Sequence, residues 1–415
     1  MRIACLVELF PTLSETFILN QIVGLLEGGH EVDIVAKRPG DDGVLHPDVL
    51  RWGLLQRTRY IDPPSNKLIR SLNGVCLIAT NFHKRPKPIL AALNAIAYGK
   101  DSLSLKLLYS AIPFLQGYDI IHCQYGPNGN LGAILRKLGI KGKLVTTFHG
   151  YDIRAGLKGR PQVYRHLFEE GDCFIAVSRY NYEKLIRLGV NREKIVYLPV
   201  GIDLRQFPYR RSERTGNDKV LRLITVARLV EEKGLQFGIR AVHRLVRRHP
   251  ALAVRYDIIG AGPLHDELAS LVRTLELENV VHLLGPQSQP QILQSLQGSD
   301  IFLLPSLAEA LGVVLMESQA VGLPVVATAT GGTGDVVLDD KSGFLVPPGD
   351  DDALAEKLEY LVTHPARWVP MGMVGRKHIE ENFDVHRLND RLVAIYKDLL
   401  SGQWMARSSL PSMAS

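Results

Sequence analysis

Short apolar segments alternate with segments of helical periodicity along almost the whole chain, and this alternation most constrains its fold. Residues 2–7 are apolar, residues 15–28 have helical spacing, and residues 31–36 are apolar again. Further apolar segments follow at 119–124, 143–148, 173–177 and 195–199. A strand followed by a helix and another strand is typical of a parallel sheet covered by helices. The pattern therefore predicts an α/β fold.

A polar stretch divides the alternation in two. Residues 210–219, RRSERTGNDK, have no periodicity and resemble an interdomain linker. Apolar segments then resume at 221–227, 255–260, 280–285, 301–305 and 324–328. A chain of 415 residues is also long for a single core. We predict two doubly wound domains that face a central cleft. The first domain covers residues 1–205, a linker covers 206–219, and the second domain covers 220–375. C-terminal helices at 376–403 could cross back to the first domain.

The segment PSLAEALGVVLMES, residues 305–318, is the most informative for chemistry. Glu309 follows a predicted strand, and Glu317 lies eight residues later in a mostly apolar helix. A helical rise would separate the two by about 12 Å, whereas paired glycosidase carboxylates lie roughly 5–10 Å apart. The spacing suits two hydroxyl groups of an extended ligand, with helix N-terminal amides between them for a diphosphate. The alternative is an acidic N-cap followed by an exposed glutamate, although a carboxylate in an apolar helix needs a partner.

Two cations follow the first strand of the second predicted domain. The segment VARLVEEKG, residues 226–234, carries Arg228 and Lys233. Ligands of doubly wound sheets bind beyond the carboxyl ends of the strands, so these side chains could neutralise a leaving diphosphate. Taken alone, the segment is more typical of a surface turn.

Together these segments resemble the retaining GT-B glycosyltransferases that have two glutamates separated by seven residues. The resemblance also covers VSR (177–179), PVGID (199–203), IGAGP (259–263) and GLPVVAT (322–328). It implies two Rossmann-like domains and a nucleotide-sugar donor. It also implies that Arg228 and Lys233 bind the diphosphate, Glu309 the donor sugar and Glu317 the ribose. Leu311, Gly312 and Val313 complete the predicted donor-binding set.

Two segments of the first domain are similar to those of a subgroup that builds bacterial exopolysaccharides, such as the colanic acid and amylovoran transferases. They are FPTLSETFI (10–18) and FHGYD (148–152). The resemblance implies that His149 lies near the reacting carbon of the donor. Thr12 and Glu15 could also form a capping box for the first helix. The predicted acceptor or phosphate loop comprises Thr12, Ser14, Glu15, Thr16 and Asp152.

The chain departs from the family pattern in three places. Ala310-Leu311 stands where many relatives have Gly-Phe, Asp335 follows a later glycine pair where relatives often have Glu, and PTLSET replaces a glycine-rich first loop. These departures leave the donor open between a UDP-sugar, which we favour, and GDP-mannose. The acceptor is expected to be a saccharide or a lipid-linked saccharide, and the motif family implies retention of the anomeric configuration.

Other classes of protein fit less well. A nicotinamide dehydrogenase would need G-x-G-x-x-G, but His265 stands in place of the third glycine after Gly260 and Gly262. The acidic run Asp350–Asp352 follows PPG and is predicted to open a helix rather than bind a metal. We expect no metal, no cofactor and no nucleic acid partner. A non-catalytic nucleotide-sugar-binding protein remains the alternative from another class.

Charge and cysteine usage bear on location. Residues 1–200 hold 26 basic and 17 acidic side chains, and residues 51–100 alone hold nine Lys and Arg against Asp62. This region is either a solvated basic face or a surface that attracts an anionic membrane or a phosphate-bearing acceptor. The four cysteines have no paired spacing, and the N-terminus does not resemble a signal peptide. We expect a cytoplasmic protein, with peripheral association with the inner face of the plasma membrane left open.

Overall fold

The computed structural model describes residues 1–12, 15–40, 45–158, 161–209 and 220–403. The chain divides into two compact units. The first comprises Met1–Leu198 together with the C-terminal residues from His386, and the second comprises Pro199–Val385. Each unit is built on one parallel sheet, so the predicted doubly wound α/β architecture is confirmed.

The first unit contains a seven-stranded sheet in the order β3-β2-β1-β4-β5-β6-β7, with all pairs parallel. The chain moves outward from β1 to β3 and then returns to place β4 on the other side of β1. This reversal is the topological switch point at which doubly wound sheets bind ligands. The strands are β1 (Arg2–Phe10), β2 (Glu31–Pro39), β3 (Thr58–Tyr60), β4 (Ile120–Gln124), β5 (Lys143–Phe148), β6 (Cys173–Ala176) and β7 (Ile195–Tyr197).

Helices cover both faces of this sheet. As a result, alternate residues of the central strand β1 are buried in two different cores. Ile3 and Cys5 pack in one cluster, and Ala4 and Leu6 pack in the other. The helices are α1 (Thr16–Glu27), α2 (Pro47–Arg51), α3 (Lys67–Asn81), α4 (Pro86–Ala92), α5 (Ala95–Tyr98), α6 (Lys100–Leu103), α7 (Lys106–Ala111), α8 (Gly126–Lys137), α9 (Tyr151–Lys158), α10 (Arg165–Glu170) and α11 (Arg179–Arg187), with 3₁₀ turns at Ile112–Gln116, Pro161–Tyr164 and Arg192–Lys194.

The second unit repeats the architecture with six strands in the order β10-β9-β8-β11-β12-β13. Its switch point lies between β8 and β11. The strands are β8 (Val220–Val226), β9 (Ala253–Ile259), β10 (Val281–Gly285), β11 (Ile301–Leu304), β12 (Val325–Thr328) and β13 (Gly343–Val346). The helices are α12 (Leu235–Arg248), α13 (His265–Thr274), α14 (Gln289–Gln297), α15 (Val313–Ala320), α16 (Thr333–Val336), α17 (Asp351–Thr363) and α18 (Trp368–Asn382), with 3₁₀ turns at Leu204–Gln206, Glu231–Lys233 and Pro365–Arg367.

The last helix, α19 (Val385–Ser401), packs on the sheet of the first unit. Leu388, Leu392 and Leu399 are buried in the core beneath β1. The buried Tyr396 hydroxyl lies 2.7 Å from Nδ1 of His122 on β4. Burial lowers the pKa of His122 to about 3, so this side chain is a neutral part of the core.

The structure differs from the sequence-based elements in a few places. β3 and β13 were not predicted. β3 is only three residues long and mostly exposed, and β13 is a four-residue segment that begins with glycine. The linker was predicted to start at residue 206, but Phe207 is buried in the second unit's core. Residues 210–219 of that linker lie outside the described residues.

Candidate active site

The candidate donor site lies at the carboxyl ends of β8 and β11, the two strands that flank the second switch point. The segment after β8 carries Arg228 and Lys233, and the segment after β11 carries Glu309 and Gly312. Because parallel neighbours end at the same edge of a sheet, residues far apart in sequence are brought together here.

An ion pair joins these two segments. Nζ of Lys233 contacts Oε1 of Glu309, and their side chains are only 18% and 8% exposed. The Ser306 hydroxyl donates a second hydrogen bond to the same Glu309 oxygen at 2.8 Å. A poorly solvated carboxylate needs such partners. The ion pair therefore brings Lys233, which is predicted to bind the diphosphate, into direct contact with Glu309, which is predicted to bind the donor sugar.

The backbone around Glu309 is held from two sides. The N–H groups of Leu307 and Ala308 donate to the Glu232 carbonyl at 2.8 and 3.1 Å. On the other side, a Cβ placed on Gly331 would lie 1.6 Å from the Glu309 carbonyl oxygen, and the φ angle of Gly331 is 58°. Only glycine fits this approach and this conformation. The position of Glu309 is thus set by two other segments of the sheet edge.

A helix N-terminus follows directly. Gly312 precedes α15 with a φ angle of 88° and gives it no side-chain cap. The first amides of α15, from Val313 onward, are therefore not satisfied by a cap, and an uncapped helix start attracts anions. Leu311 is buried and packs in the core, so it supports the loop rather than presenting a side chain to a ligand.

Glu317 is located on α15 as predicted, and it is partly buried. Among the residues that the structure describes, its carboxylate has no hydrogen-bond or ion-pair partner. Burial raises its pKa from 4.5 to about 7. The other predicted donor ligand, Arg228, is exposed and likewise has no side-chain partner within the described ranges. Both groups are thus available to a polar ligand.

The first unit has an analogous arrangement at its own switch point. The segment after β1 carries Thr12 and Glu15, and Tyr125 follows β4. The Tyr125 hydroxyl donates to Oε1 of Glu15 at 2.7 Å, and the Thr12 hydroxyl lies 3.5 Å from Oε2. Burial raises the pKa of Glu15. Here too a carboxylate after one central strand is tied to the segment after the other.

His149 follows β5 and lies beside this pair. Its ring stands 4.5 Å from the Tyr125 ring and 4.8 Å from the Phe17 ring, measured between centroids. Its Nε2 lies 2.8 Å from Oε1 of the buried Gln124, whose amide nitrogen donates to Gln21. With the Gln124 amide oriented so that its oxygen accepts, His149 donates from Nε2 and leaves Nδ1 as an acceptor. Burial lowers the pKa of His149 to about 3, which keeps the ring neutral.

The predicted loop residues have different fates. Asp152 is completely buried and accepts hydrogen bonds from the N–H groups of Gly126, Gly150 and Ile153 at 2.8–3.0 Å. It organises the turn that carries His149 and is not accessible to a ligand. Thr16 begins α1, and Ser14 lies outside the described residues.

The capping-box interpretation was wrong. Helix α1 begins at Thr16, and its N-cap residue Glu15 makes no side-chain cap hydrogen bond. Thr12 and Glu15 contact each other through their side chains instead of the helix backbone. The Glu15 carboxylate is occupied by Tyr125, which sequence spacing alone could not reveal.

Sequence reasoning also missed several residues at these two sites. Gln124, Tyr125 and Ser306 were not singled out, although each bonds directly to a predicted residue. The available signal was a position at or just after the end of a central strand. Tyr125 adds a φ angle of 71°, which is uncommon for a non-glycine residue and marks a constrained turn.

Two kinds of feature are absent from the part of the chain that the structure describes. No group of three or more His, Cys, Asp and Glu side chains there has the geometry of a metal site. No helix among these residues is both long and apolar enough to cross a membrane.

Comparisons with known proteins identify the class of this fold and site. Residues 209–378 match the family of glycosyl transferases group 1, and residues 14–206 match glycosyltransferase family 4. The chain belongs to the group 1 glycosyltransferase family and has the GT-B fold. The resemblance to GT-B glycosyltransferases that was inferred from the sequence motifs is thereby confirmed, whereas retention of configuration stays a prediction.

Particular relatives match along nearly the whole chain. WcaL of Escherichia coli (strain K12), which is provisionally named a colanic acid biosynthesis glycosyltransferase, is 34% identical over 96% of this chain and 100% of its own length. The amylovoran biosynthesis glycosyltransferase AmsK of Erwinia amylovora is 35% identical with the same coverage. The crystal structure of Anabaena Alr3699/HepE in complex with UDP has a TM-score of 0.72 at 18% identity, over 96% of this chain and 100% of that one.

Proposed function

We propose that this glycosyltransferase moves a hexose from a UDP-sugar to a saccharide or lipid-linked saccharide acceptor, with retention of the anomeric configuration, in cytoplasmic exopolysaccharide biosynthesis. The biosynthetic role follows from the names of the relatives, which refer to colanic acid and amylovoran. The choice of UDP follows from the neighbouring HepE structures, which were solved with UDP and with UDP-glucose.

The observation that carries the proposal is the Lys233–Glu309 ion pair at the switch point, next to the uncapped start of α15. A nucleotide-sugar presents ribose hydroxyls, a diphosphate and sugar hydroxyls along one extended molecule. Carboxylates accept hydrogen bonds from hydroxyl groups, whereas cations and helix N-terminal amides bind phosphates. The second unit supplies all of these groups within two neighbouring strand-end segments and the helix that follows.

Each residue then has a definite role in the proposal. Glu309 accepts hydrogen bonds from the donor sugar, and Glu317 accepts them from the ribose. Arg228 and Lys233 stabilise negative charge as it develops on the leaving diphosphate. His149 has a neutral ring and an Nδ1 atom that no described residue contacts, and it accepts a hydrogen bond from a hydroxyl group near the reacting carbon.

Retention requires the acceptor oxygen to bond to the anomeric carbon on the face from which the nucleotide leaves. We propose that the bond from that carbon to the phosphate oxygen breaks as the new bond forms, and that the acceptor proton passes to the leaving phosphate. The diphosphate thus serves as the base. The cationic side chains offset the negative charge of the diphosphate and leave one of its oxygens able to accept the proton.

The first experiment tests donor binding. Thermal unfolding of the purified protein is measured with UDP, GDP and ADP. A ligand at a hundred times its dissociation constant adds about 2.7 kcal/mol of apparent stability. We expect the largest shift with UDP. A larger shift with GDP would favour a GDP-mannose-dependent mannosyltransferase. Equal shifts with all three nucleotides would contradict the assignment of uracil as the nucleobase of the donor.

The second experiment tests the reaction. The product formed from an α-linked UDP-hexose is examined by nuclear magnetic resonance, and an α-linkage is expected. A β-linked product would refute retention. Tight nucleotide binding without transfer to any saccharide or lipid-linked acceptor would favour the non-catalytic alternative.

A variant of the ion pair isolates the sugar contact. Glu309→Ala should lower transfer strongly and leave the affinity for free UDP nearly unchanged, because UDP lacks the sugar. Glu356→Ala, at an exposed position of α17, is the matched control and should retain full activity. Equal loss of UDP binding and transfer in Glu309→Ala would reassign this residue to the nucleotide.

A further inference from the structure

Helix α3 of the first unit exposes large apolar side chains along one face, whereas a surface helix in water usually exposes polar ones. Leu68, Leu72 and Val75 are 69%, 63% and 66% exposed, and Phe82, just after the helix, is 41% exposed. Spacings of three, four and seven residues place them along one stripe of the helix. We refer to Leu68, Leu72, Val75 and Phe82 as the α3 stripe.

The opposite face of α3 is the one that packs on the unit. Gly74 is the buried residue of this helix, and a Cβ there would lie 2.6 Å from Cδ1 of Leu105. The Tyr109 hydroxyl donates to the carbonyl of Arg70 on the same side at 3.0 Å. The helix is therefore fixed with its apolar stripe outward, and the stripe is not explained by the unit's own core.

The charged side chains of α3 and of the segments that flank it in the sequence have a single sign. Lys67 begins α3, and Lys84, Arg85 and Lys87 follow its end. The sequence has no Asp or Glu between Asp62 and Asp101. A protein partner would have to supply both an apolar groove and acidic groups at both ends, whereas an anionic bilayer supplies both everywhere on its surface.

We propose that α3 binds an anionic lipid bilayer, with the α3 stripe inserted among the lipid chains and the flanking basic side chains at the headgroups. A helix of 15 residues is about 22 Å long, which is shorter than a hydrocarbon core of about 30 Å. It therefore lies in the plane of the interface, as amphipathic helices with basic borders do. Leu90, Ile96 and Leu103, exposed on α4, α5 and α6, add apolar surface in the same unit.

The inference does not depend on sugar transfer, so the two can fail separately. The full-length protein is mixed with vesicles of phosphatidylcholine alone, or of phosphatidylcholine with phosphatidylglycerol, and then floated on a density gradient. We expect strong flotation with the anionic vesicles and weaker flotation with the neutral ones. Equal recovery with both, or none with either, would overturn the proposal.

A variant with Leu68→Ser, Leu72→Ser and Val75→Ser tests the stripe itself. Because these side chains are exposed, the fold should persist, and thermal unfolding checks that it does. We expect vesicle binding to fall by about tenfold or more for each leucine withdrawn from the bilayer. Met373→Ser, at a 55% exposed methionine of the second unit, is the matched control and should bind normally. Normal binding by the triple variant would refute the stripe.

A charge variant separates the electrostatic part. Lys84→Glu with Lys87→Glu should weaken binding to anionic vesicles by at least about fivefold for each lysine, and binding to neutral vesicles should not change. Lys341→Glu with Lys377→Glu, at two exposed lysines of the second unit, changes the net charge by the same amount and controls for it. An equal effect of the control would show that only total charge matters and would contradict the proposal.

The chain also contains a natural probe. Cys76 lies beside Val75 and is exposed, whereas the other three cysteines are buried. An environment-sensitive fluorophore on Cys76 should shift to the blue with anionic vesicles, and an unchanged spectrum would contradict insertion. If the wild-type protein forms dimers that the triple serine variant does not, and the label shifts on dimerisation rather than with vesicles, the stripe is a protein interface and the proposal is wrong.

Discussion

Replacing Glu317 by glutamine should stabilise the protein and weaken its binding of nucleotide. The carboxylate is partly buried on α15 and has no partner within the described part of the chain. Such a group is unfavourable in the free protein and is retained only where a ligand needs it. The neutral amide of glutamine has nearly the same shape but removes the buried charge.

The magnitude follows from the pKa of Glu317, which burial raises from 4.5 to about 7. The folded protein therefore binds this proton more tightly than the unfolded chain does. The resulting stabilisation is complete below pH 4.5 and is lost as the pH rises through about 7. A shift of this size corresponds to an upper limit of about 3 kcal/mol, since the side chain is partly solvated. Glu317→Gln has no carboxylate to ionise, so its free energy of unfolding does not fall in this way as the pH rises.

Urea unfolding of the wild type and the variant should therefore diverge with pH. From about pH 5 to about pH 8, the advantage of Glu317→Gln in the free energy of unfolding should grow toward about 3 kcal/mol. Glu356→Gln, at the exposed position on α17, should follow the wild type throughout. A constant difference between Glu317→Gln and the wild type at all pH values would refute the electrostatic argument.

The same variant should bind UDP less tightly. Loss of hydrogen bonds to a charged carboxylate weakens binding by about 1.5–3 kcal/mol, which is about 10- to 150-fold in the dissociation constant. Titration calorimetry with UDP above pH 7 measures this. Unchanged affinity would exclude Glu317 as the ribose ligand, even if the stability result holds.

Other changes test the remaining roles. Arg228→Ala should lower kcat by about 100- to 1000-fold with little change in the urea midpoint, because the side chain is exposed and acts on charge that develops in the transition state; unaltered kcat would exclude it from the leaving-group site. Gln124→Leu should lower kcat by releasing the proton position of His149, whereas Gln124→Glu should raise the pKa of His149 and add an acidic limb to the pH profile. An unchanged profile in Gln124→Glu would show that Gln124 does not position the ring. We also expect transfer to persist in the presence of a chelator, since cationic side chains are assigned to the diphosphate; loss of activity on chelation, restored by a divalent cation, would contradict that assignment.

The sequence by itself determined most strands of the two sheets and the class of the protein. Strand β5 was predicted with its observed bounds, and the other predicted strands agree within a few residues at either end, because burial on both faces of a parallel strand leaves a continuous apolar run. Glu309, Glu317, Arg228 and Lys233 could be selected because their motifs lie within short segments after predicted strands. The family then follows from residues that are close together in the sequence.

Only the tertiary structure decided which of these residues touch. Lys233 meets Glu309 across 76 positions, and Glu15 meets Tyr125 across 110, because the order of strands in each sheet places two distant segments at one switch point. Tyr396 reaches His122 across 274 positions for the same kind of reason. Spacing could not show that Asp152 is buried by backbone donors or that the apolar stripe of α3 faces outward. Burial depends on the neighbours that the fold supplies, and those neighbours are not adjacent in the chain.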